Sequence, residues 1–300
     1  MNLTNDHPAA GPLPRRGAAP SGGSGPREAG ERGGYIPWAL ILAAGRGQRM
    51  RPLTDHTPKP LLPVCGQPLM QWPLAALLRG GVTEVVVNTA WLGEQIQSHF
   101  NPRRVSELRE QLHIKEHIAL HFSPEGADFG HALETAGGIV RALPLLAPAS
   151  DDVFWVVAGD IFAPGFVFSR AAAERFAASG RLAHLWLVPN PPHNSQGDFG
   201  LSADGLALNE APARAERYTF STYALYRRAL FEPPWCDIPP GNPRGIAAPL
   251  APLLRRAIAA GQVSAELYTG DWADVGTPER LAQLSRVGSN LASIPNCKDK

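Results

Sequence analysis

The stretch Trp38–Pro60 reads WALILAAGRGQRMRPLTDHTPKP, and its reading decides the fold. Trp38–Ala43 is an unbroken apolar run, the pattern of a strand buried on both faces of a parallel sheet. The loop after it is polar and rich in glycine, arginine and proline. Gly45 and Gly47 let the backbone approach a ligand closely, and successive main-chain N–H groups there can cradle phosphates. Arg46, Arg49 and Arg51 add cationic donors suited to phosphate oxygens. A tight strand-to-loop turn with solvated arginines is the competing reading of the glycines alone. Lys59 weighs against it. The only lysines are Lys59, Lys115, Lys298 and Lys300. A lone ammonium in a stiff Pro-Lys-Pro frame, in a chain that otherwise uses arginine, marks a site that wants a compact point charge. Other glycine loops fit less well. A dinucleotide fingerprint needs glycine where Met50 stands, and the Walker Gly-Lys-Ser/Thr is absent.

Outward from this stretch, strands and helices alternate. Helices are expected over Pro68–Arg79, Leu92–Phe100 and Thr135–Leu146, and strands over Thr83–Asn88, His117–Phe122, Val153–Ala158 and Leu182–Val188. That order predicts an α/β fold, a mostly parallel sheet sandwiched by helices, with the ligand at the carboxyl ends of the strands. From Gly197 to Tyr226 the pattern turns strand-rich, predicting a small antiparallel insert. A helix over Ala247–Ala260, a strand over Val263–Tyr268 and a last helix near Pro278–Ser285 complete the body. The absence of a hexapeptide repeat removes one route to trimers and leans the reading towards a monomer.

Residues 1–34 are mainly Gly, Pro, Ala and Arg, too poor in apolar side chains to offset their ordering entropy, and are expected to be disordered. The body is expected over 35–288, with a frayed tail over 289–300. A net charge of +1 gives no reason to expect nucleic acid or an anionic membrane as partner. No apolar run approaches the roughly 20 residues needed to span a bilayer. Cys65, Cys236 and Cys297 are few and scattered, which points to a reducing cytoplasm.

Two carboxylates complete the set. Gly159-Asp160 ends the apolar run VFWVVA, so Asp160 faces the crevice, where its natural use is to hold Mg²⁺ beside phosphate oxygens and water. A loop or capping aspartate is the alternative. Asp274, in DWADVGTPER, can supply a second metal ligand, although the same residues also suit a turn and helix start.

With these motifs in place, the chain resembles the sugar-1-phosphate nucleotidyltransferases. The resemblance rests on Gly45-Arg46-Gly47 through Pro58-Lys59-Pro60, on Gly159-Asp160 and on Asp274-Val275-Gly276-Thr277. It covers about residues 37–287 and implies a Rossmann-like, glycosyltransferase-A type fold. Closer similarity lies in Val87–Gly93, Phe122–Gly126, Leu133–Gly138, Gly197–Phe199 and Tyr218–Ser221. It implies UTP and N-acetylmuramic acid α-1-phosphate as substrates, in recycling of the bacterial cell wall. The sequence departs from the family in two longer stretches, 101–116 and 127–132, and in lacking the Glu-Lys-Pro segment with which many relatives hold the sugar phosphate.

The implied reaction is one in-line displacement of pyrophosphate from the nucleotide α-phosphorus by the sugar phosphate. Such chemistry needs charge neutralisation and alignment more than a protein nucleophile. Gly45, Gly47, Gln48, Arg49 and Gly159 are assigned to the nucleotide, and Lys59 and Arg49 to the reacting phosphates. Asp160 and Asp274 are assigned to Mg²⁺. Glu125 can accept from uracil N3–H, or equally from guanine. Asp198 can accept from sugar hydroxyls, with Gly200 permitting close approach. Arginines within 211–217 are candidates for the lactyl carboxylate of the muramate. Mannose-1-phosphate guanylyl transfer, glucose-1-phosphate thymidylyl or uridylyl transfer, and a nucleotide-sugar sensor on the same fold remain as alternatives.

Overall fold

A computed structural model describes residues 38–147, 152–211 and 216–288. The expectations for 1–34 and 289–300, and the candidate Arg214, fall outside the described residues.

In chain order the first half comprises β1 (Ala39–Leu42), β2 (Pro63–Val64), β3 (Gln67–Pro68), α1 (Gln71–Arg79), β4 (Glu84–Thr89), α2 (Gly93–His99), α3 (Pro102–Gln111), β5 (Ala119–Pro124), α4 (Glu125–Phe129) and α5 (Glu134–Leu146). The second half comprises β6 (Val153–Ala158), β7 (Ile161–Phe162), α6 (Arg170–Ala178), β8 (Ala183–Val188), β9 (Phe199–Leu201), β10 (Ala207–Leu208), β11 (Arg217–Arg227), α7 (Ala251–Ala259), β12 (Val263–Leu267), β13 (Ala273–Asp274) and α8 (Pro278–Gly288).

β1 lies at the middle of the sheet, parallel to β4 on one side and β6 on the other, and β5 extends the parallel array beyond β4. β11 runs antiparallel between β6 and β8, and β12 is parallel to β8. The expected antiparallel insert consists of β9 and β10 paired onto the start of β11. No helix among the described residues is long and apolar enough to cross a membrane.

The unbroken apolar strands follow from helices on both faces. Ala39 and Ile41 of β1, with Trp155 and Val157 of β6, pack against Leu74 and Leu77 of α1, Val105 and Leu108 of α3, and Phe176 of α6. The alternate residues Leu40, Phe154 and Val156 pack against Ile139 and Leu143 of α5 and Leu254 and Ile258 of α7. Period-two alternation thus feeds two apolar layers rather than one core and one wet face.

The long stretch 101–116 resolves into α3, which sequence reading did not anticipate. Its start carries ordinary signals. Asn101 accepts from the Arg104 N–H at 3.0 Å, and Pro102 occupies the first turn, where its missing N–H costs nothing. The stretch 127–132 is partly α4, a single short helix ending at Gly130 in the left-handed region.

A third, smaller core matters most for the site. Met50, Leu62 and Val64 from the long loop, Leu69, Phe162 of β7, Val275 and Leu281 of α8 are buried together. This cluster ties the glycine–lysine loop to the segment that carries Asp274.

Candidate active site

A cavity of about 730 Å³ opens at the carboxyl ends of the parallel strands. Gly45, Lys59, Asn88, Asp160 and Asp198 are among its lining residues, so loops far apart in sequence converge there, as the doubly wound order requires. Its size is that of an ordinary small-molecule site.

The glycine loop is held in shape by its own chemistry. Gly47 sits at φ +65°, and a β-carbon there would lie 3.1 Å from Thr54 and 3.2 Å from the Lys59 side chain, so this position needs glycine. Its carbonyl accepts from Thr54 Oγ1 at 2.8 Å. Trp91 Nε1 donates to the Thr54 carbonyl at 2.9 Å, and the Arg46 guanidinium stacks on the Trp91 ring at 3.7 Å. Gln48 and Arg49 lie on a short 3₁₀ turn, both exposed and outside the cavity lining.

Lys59 donates a hydrogen bond to Asp160 Oδ2, forming an ion pair. The lysine is 12% exposed and the aspartate 35%, so both charges are partly desolvated yet open towards the cavity. Asp274 is brought beside Asp160 by the β7–β13 ladder. It pairs with Ile161, and the next N–H, that of Val275, donates to the Asp160 carbonyl at 3.0 Å. Asp274 Oδ1 is met by Arg280 and, at 2.9 Å, by His193 Nε2. Asp274 does not itself line the cavity.

This donor set fits Mg²⁺. The cation takes one or two carboxylates and fills its octahedron with phosphate oxygens and water. Asp160, in the turn between β6 and β7, and Asp274 of β13 would be those carboxylates: Lys59 holds only Oδ2 of Asp160, and Arg280 and His193 hold only Oδ1 of Asp274, so each has a second oxygen without a hydrogen bond among the described residues. Among the described residues no group of three or more His, Cys, Asp or Glu gathers, so the remaining ligands would come from nucleotide and water.

The assignment of Glu125 to the nucleobase needs correction. Glu125 is fully buried. Its Oε1 accepts from Asn88 Nδ2 at 2.7 Å and its Oε2 from the Leu133 N–H at 2.7 Å. Asn88 in turn accepts from the Ala43 N–H at 2.7 Å. Glu125 is therefore a brace that joins the start of the glycine loop, the end of β4 and the entry to α5. Burial raises its pKa, against the opposing pull of its two N–H donors. Cavity-lining residues at this end are instead Asn88, Ala132, Glu134 and Thr135.

Asp198 does line the cavity. Its Oδ2 accepts from the Phe220 N–H at 2.8 Å and Asn194 Nδ2 at 3.2 Å, while Oδ1 makes no hydrogen bond among the described residues. Gly200 and Gly159 also need correction, since both are buried and neither lines the cavity. A β-carbon on Gly200 would lie 2.9 Å from Ala211 Cα, and one on Gly159 would lie 3.1 Å from the Leu42 carbonyl oxygen. These glycines serve backbone packing.

Several lining residues escaped sequence reading. Phe199, Phe220 and Tyr226 look like core aromatics in a strand pattern. Thr222 stands at φ +66°, where β11 shifts register between Phe220 and Ala224. A β-branched residue in the left-handed region carries no signal in sequence. Arg255 of α7 also lines the cavity, although on a helix surface it reads as a solvated charge.

Gly45, Lys59 and Asp160 meet at the cavity wall, with Asp274 on the adjoining ladder, and together they form the candidate site on an α/β scaffold. The profile of the nucleotidyl transferase family matches residues 38–287, and the chain belongs to that family. It is 42% identical over 254 residues to an N-acetylmuramate α-1-phosphate uridylyltransferase of Neisseria meningitidis, an alignment covering 83% of this chain and 97% of that protein. It is 30% identical to the protein of the same name in Caulobacter vibrioides, over 83% of this chain and 96% of that one. A UTP–glucose-1-phosphate uridylyltransferase of Synechocystis is 31% identical, over 72% of this chain and 54% of that protein. A Bacillus anthracis crystal structure described as a glucose-1-phosphate thymidylyltransferase with sucrose has the same fold. Its TM-score is 0.63 at 18% identity, covering 86% of this chain and 98% of that one.

Proposed function

We propose that this chain transfers the uridylyl group of UTP to N-acetylmuramic acid α-1-phosphate, giving UDP-N-acetylmuramic acid and pyrophosphate in an Mg²⁺-dependent reaction. The observation that carries this reading is the 42% identity extending over 97% of the Neisseria uridylyltransferase. The Lys59–Asp160 pair at the cavity wall supports the chemistry.

In this reading one bond forms, between a phosphate oxygen of the sugar 1-phosphate and the α-phosphorus. One breaks, between that phosphorus and the pyrophosphate. The nucleophile is already an anion, so no general base is needed. Backbone N–H groups of the Gly45–Gly47 loop hold the triphosphate, with Arg49 reaching from the exposed turn. Lys59 neutralises charge on the reacting phosphates, a role that a preorganised cation fills at little reorganisation cost. Bound at Asp160 and Asp274, Mg²⁺ would supply the remaining neutralisation of phosphate charge. Asp198, through its free Oδ1, orients sugar hydroxyls. The base contacts fall to the Ala132–Thr135 segment, with Glu125 as its support. The chain acts in the cytoplasm, recycling cell-wall sugar, as one domain spanning about 35–288.

The test is to incubate the purified chain with UTP, Mg²⁺ and N-acetylmuramic acid α-1-phosphate, monitoring pyrophosphate release and the mass of the product. UDP-N-acetylmuramic acid is expected. Failure to form it, with turnover of another nucleotide and sugar phosphate, would move the assignment elsewhere within the family.

A further inference from the structure

We infer that Arg255 determines sugar specificity by holding the carboxylate of the lactyl ether on N-acetylmuramic acid α-1-phosphate. The inference rests on the substrate reading above and extends it to a residue outside the family motifs.

Among the described residues, two cations line the cavity, Lys59 and Arg255. Lys59 is engaged with Asp160. The Arg255 guanidinium makes no ion pair or hydrogen bond among the described residues. Its central carbon lies 5.4 Å from the centroid of Phe199, the residue after Asp198. Stacking on a ring face leaves the N–H edge of a guanidinium free, and that planar fork matches a carboxylate. Of the two arginines anticipated for this role, Arg214 lies outside the described residues and Arg217 is occupied. It donates to the Asp198 carbonyl at 2.7 Å and reaches Glu210 at 3.4 Å, bracing the loop.

The placement of Arg255 is fixed by its helix. Leu253, Leu254, Ala257 and Ile258 of α7 are buried in the core, so the Arg255 backbone is anchored while its head is exposed. Leu250, Ala251 and Leu254 of the same region form an apolar part of the cavity wall. Beyond the 1-phosphate that both sugars share, N-acetylglucosamine α-1-phosphate brings only hydroxyls and an acetamide to the guanidinium. The muramate brings a carboxylate as well.

Arg255→Ala and Arg255→Lys separate the possibilities, with steady-state kinetics on N-acetylmuramic acid α-1-phosphate and N-acetylglucosamine α-1-phosphate. Losing a charge-assisted hydrogen bond should lower kcat/KM for the muramate roughly 10- to 100-fold in Arg255→Ala, through KM. Arg255→Lys should recover part of the loss. The KM for UTP, the melting temperature and any turnover of the glucosamine phosphate should stay at parental values, which shows that the variant is folded. Parental kinetics on the muramate in Arg255→Ala would overturn the inference, as would an equal loss on both sugars. A parent chain that does not use the muramate at all is a separate result. It would overturn the proposed substrate and, with it, the partner assigned to Arg255.

Discussion

Glu125→Gln is the smallest change that separates a brace from a base-reading group. Two N–H donors converge on this buried carboxylate, from Asn88 and Leu133, each at 2.7 Å. Glutamine offers one acceptor oxygen, so its amide nitrogen must face one of those donors. The variant gives up a charge-assisted hydrogen bond of about 1.5–3 kcal/mol and leaves a buried donor unsatisfied at about 1–3 kcal/mol. Relief from burying a charge offsets part of this, and a net loss of about 2 kcal/mol is expected at neutral pH. For a domain of this size that is roughly 4–8 °C in melting temperature. Gly138→Ala should act on the same bond from the other side, because its β-carbon would lie 2.6 Å from Glu125 Oε1 and 2.9 Å from Asn88 Nδ2. Burial also raises the Glu125 pKa, so the folded chain keeps this proton to higher pH than the unfolded chain. Stability should therefore fall as pH rises from the unfolded value of about 4.3 through the raised folded one, and that fall should be missing in the glutamine variant. Thermal and urea unfolding across pH, beside the KM for UTP, provide the assay. Parental stability with a selective rise in the KM for UTP would refute the brace and return Glu125 to the base.

Lys59→Ala should lower turnover about a hundredfold, on the order of 3 kcal/mol of transition-state stabilisation, and should affect the melting temperature less, because Asp160 is 35% exposed and stays partly hydrated without its partner. Near-parental turnover in the folded variant would remove Lys59 from the reaction. Asp160→Asn and Asp274→Asn should each raise the Mg²⁺ concentration for half-maximal activity, since each replaces an anionic oxygen ligand. A Mg²⁺ titration of Asp274→Asn that overlays the parent would leave that residue with the structural task of binding Arg280 and His193.

The fold was largely legible because its strongest cues are local. VFWVVA is bounded as β6 from Val153 to Ala158, and the run after Trp38 is β1. Gly45 and Lys59, named from the same local stretch, line the cavity. α3 was missed because the apolar face of Val105 and Leu108 is thin, although Asn101-Pro102 announce its start. The site was harder because its remaining parts depend on long-range convergence. Nothing near Glu125 in sequence shows that Asn88 and the Leu133 N–H will consume both its oxygens. Gly200 looked like a ligand-approach glycine, and only the nearness of Ala211 gives it a packing role. Arg255 has the ordinary pattern of an exposed helix charge, and only the fold brings it over Phe199.

The most direct test of the account is kcat/KM measured by pyrophosphate release over a grid of UTP, GTP and dTTP against the α-1-phosphates of N-acetylmuramic acid, N-acetylglucosamine, glucose and mannose. The account predicts that UTP with N-acetylmuramic acid α-1-phosphate is the best pair, since a cavity built to hold a carboxylate leaves its donor unpaired with other sugars. Equal use of N-acetylglucosamine α-1-phosphate, or a preference for GTP or dTTP over UTP, would contradict it.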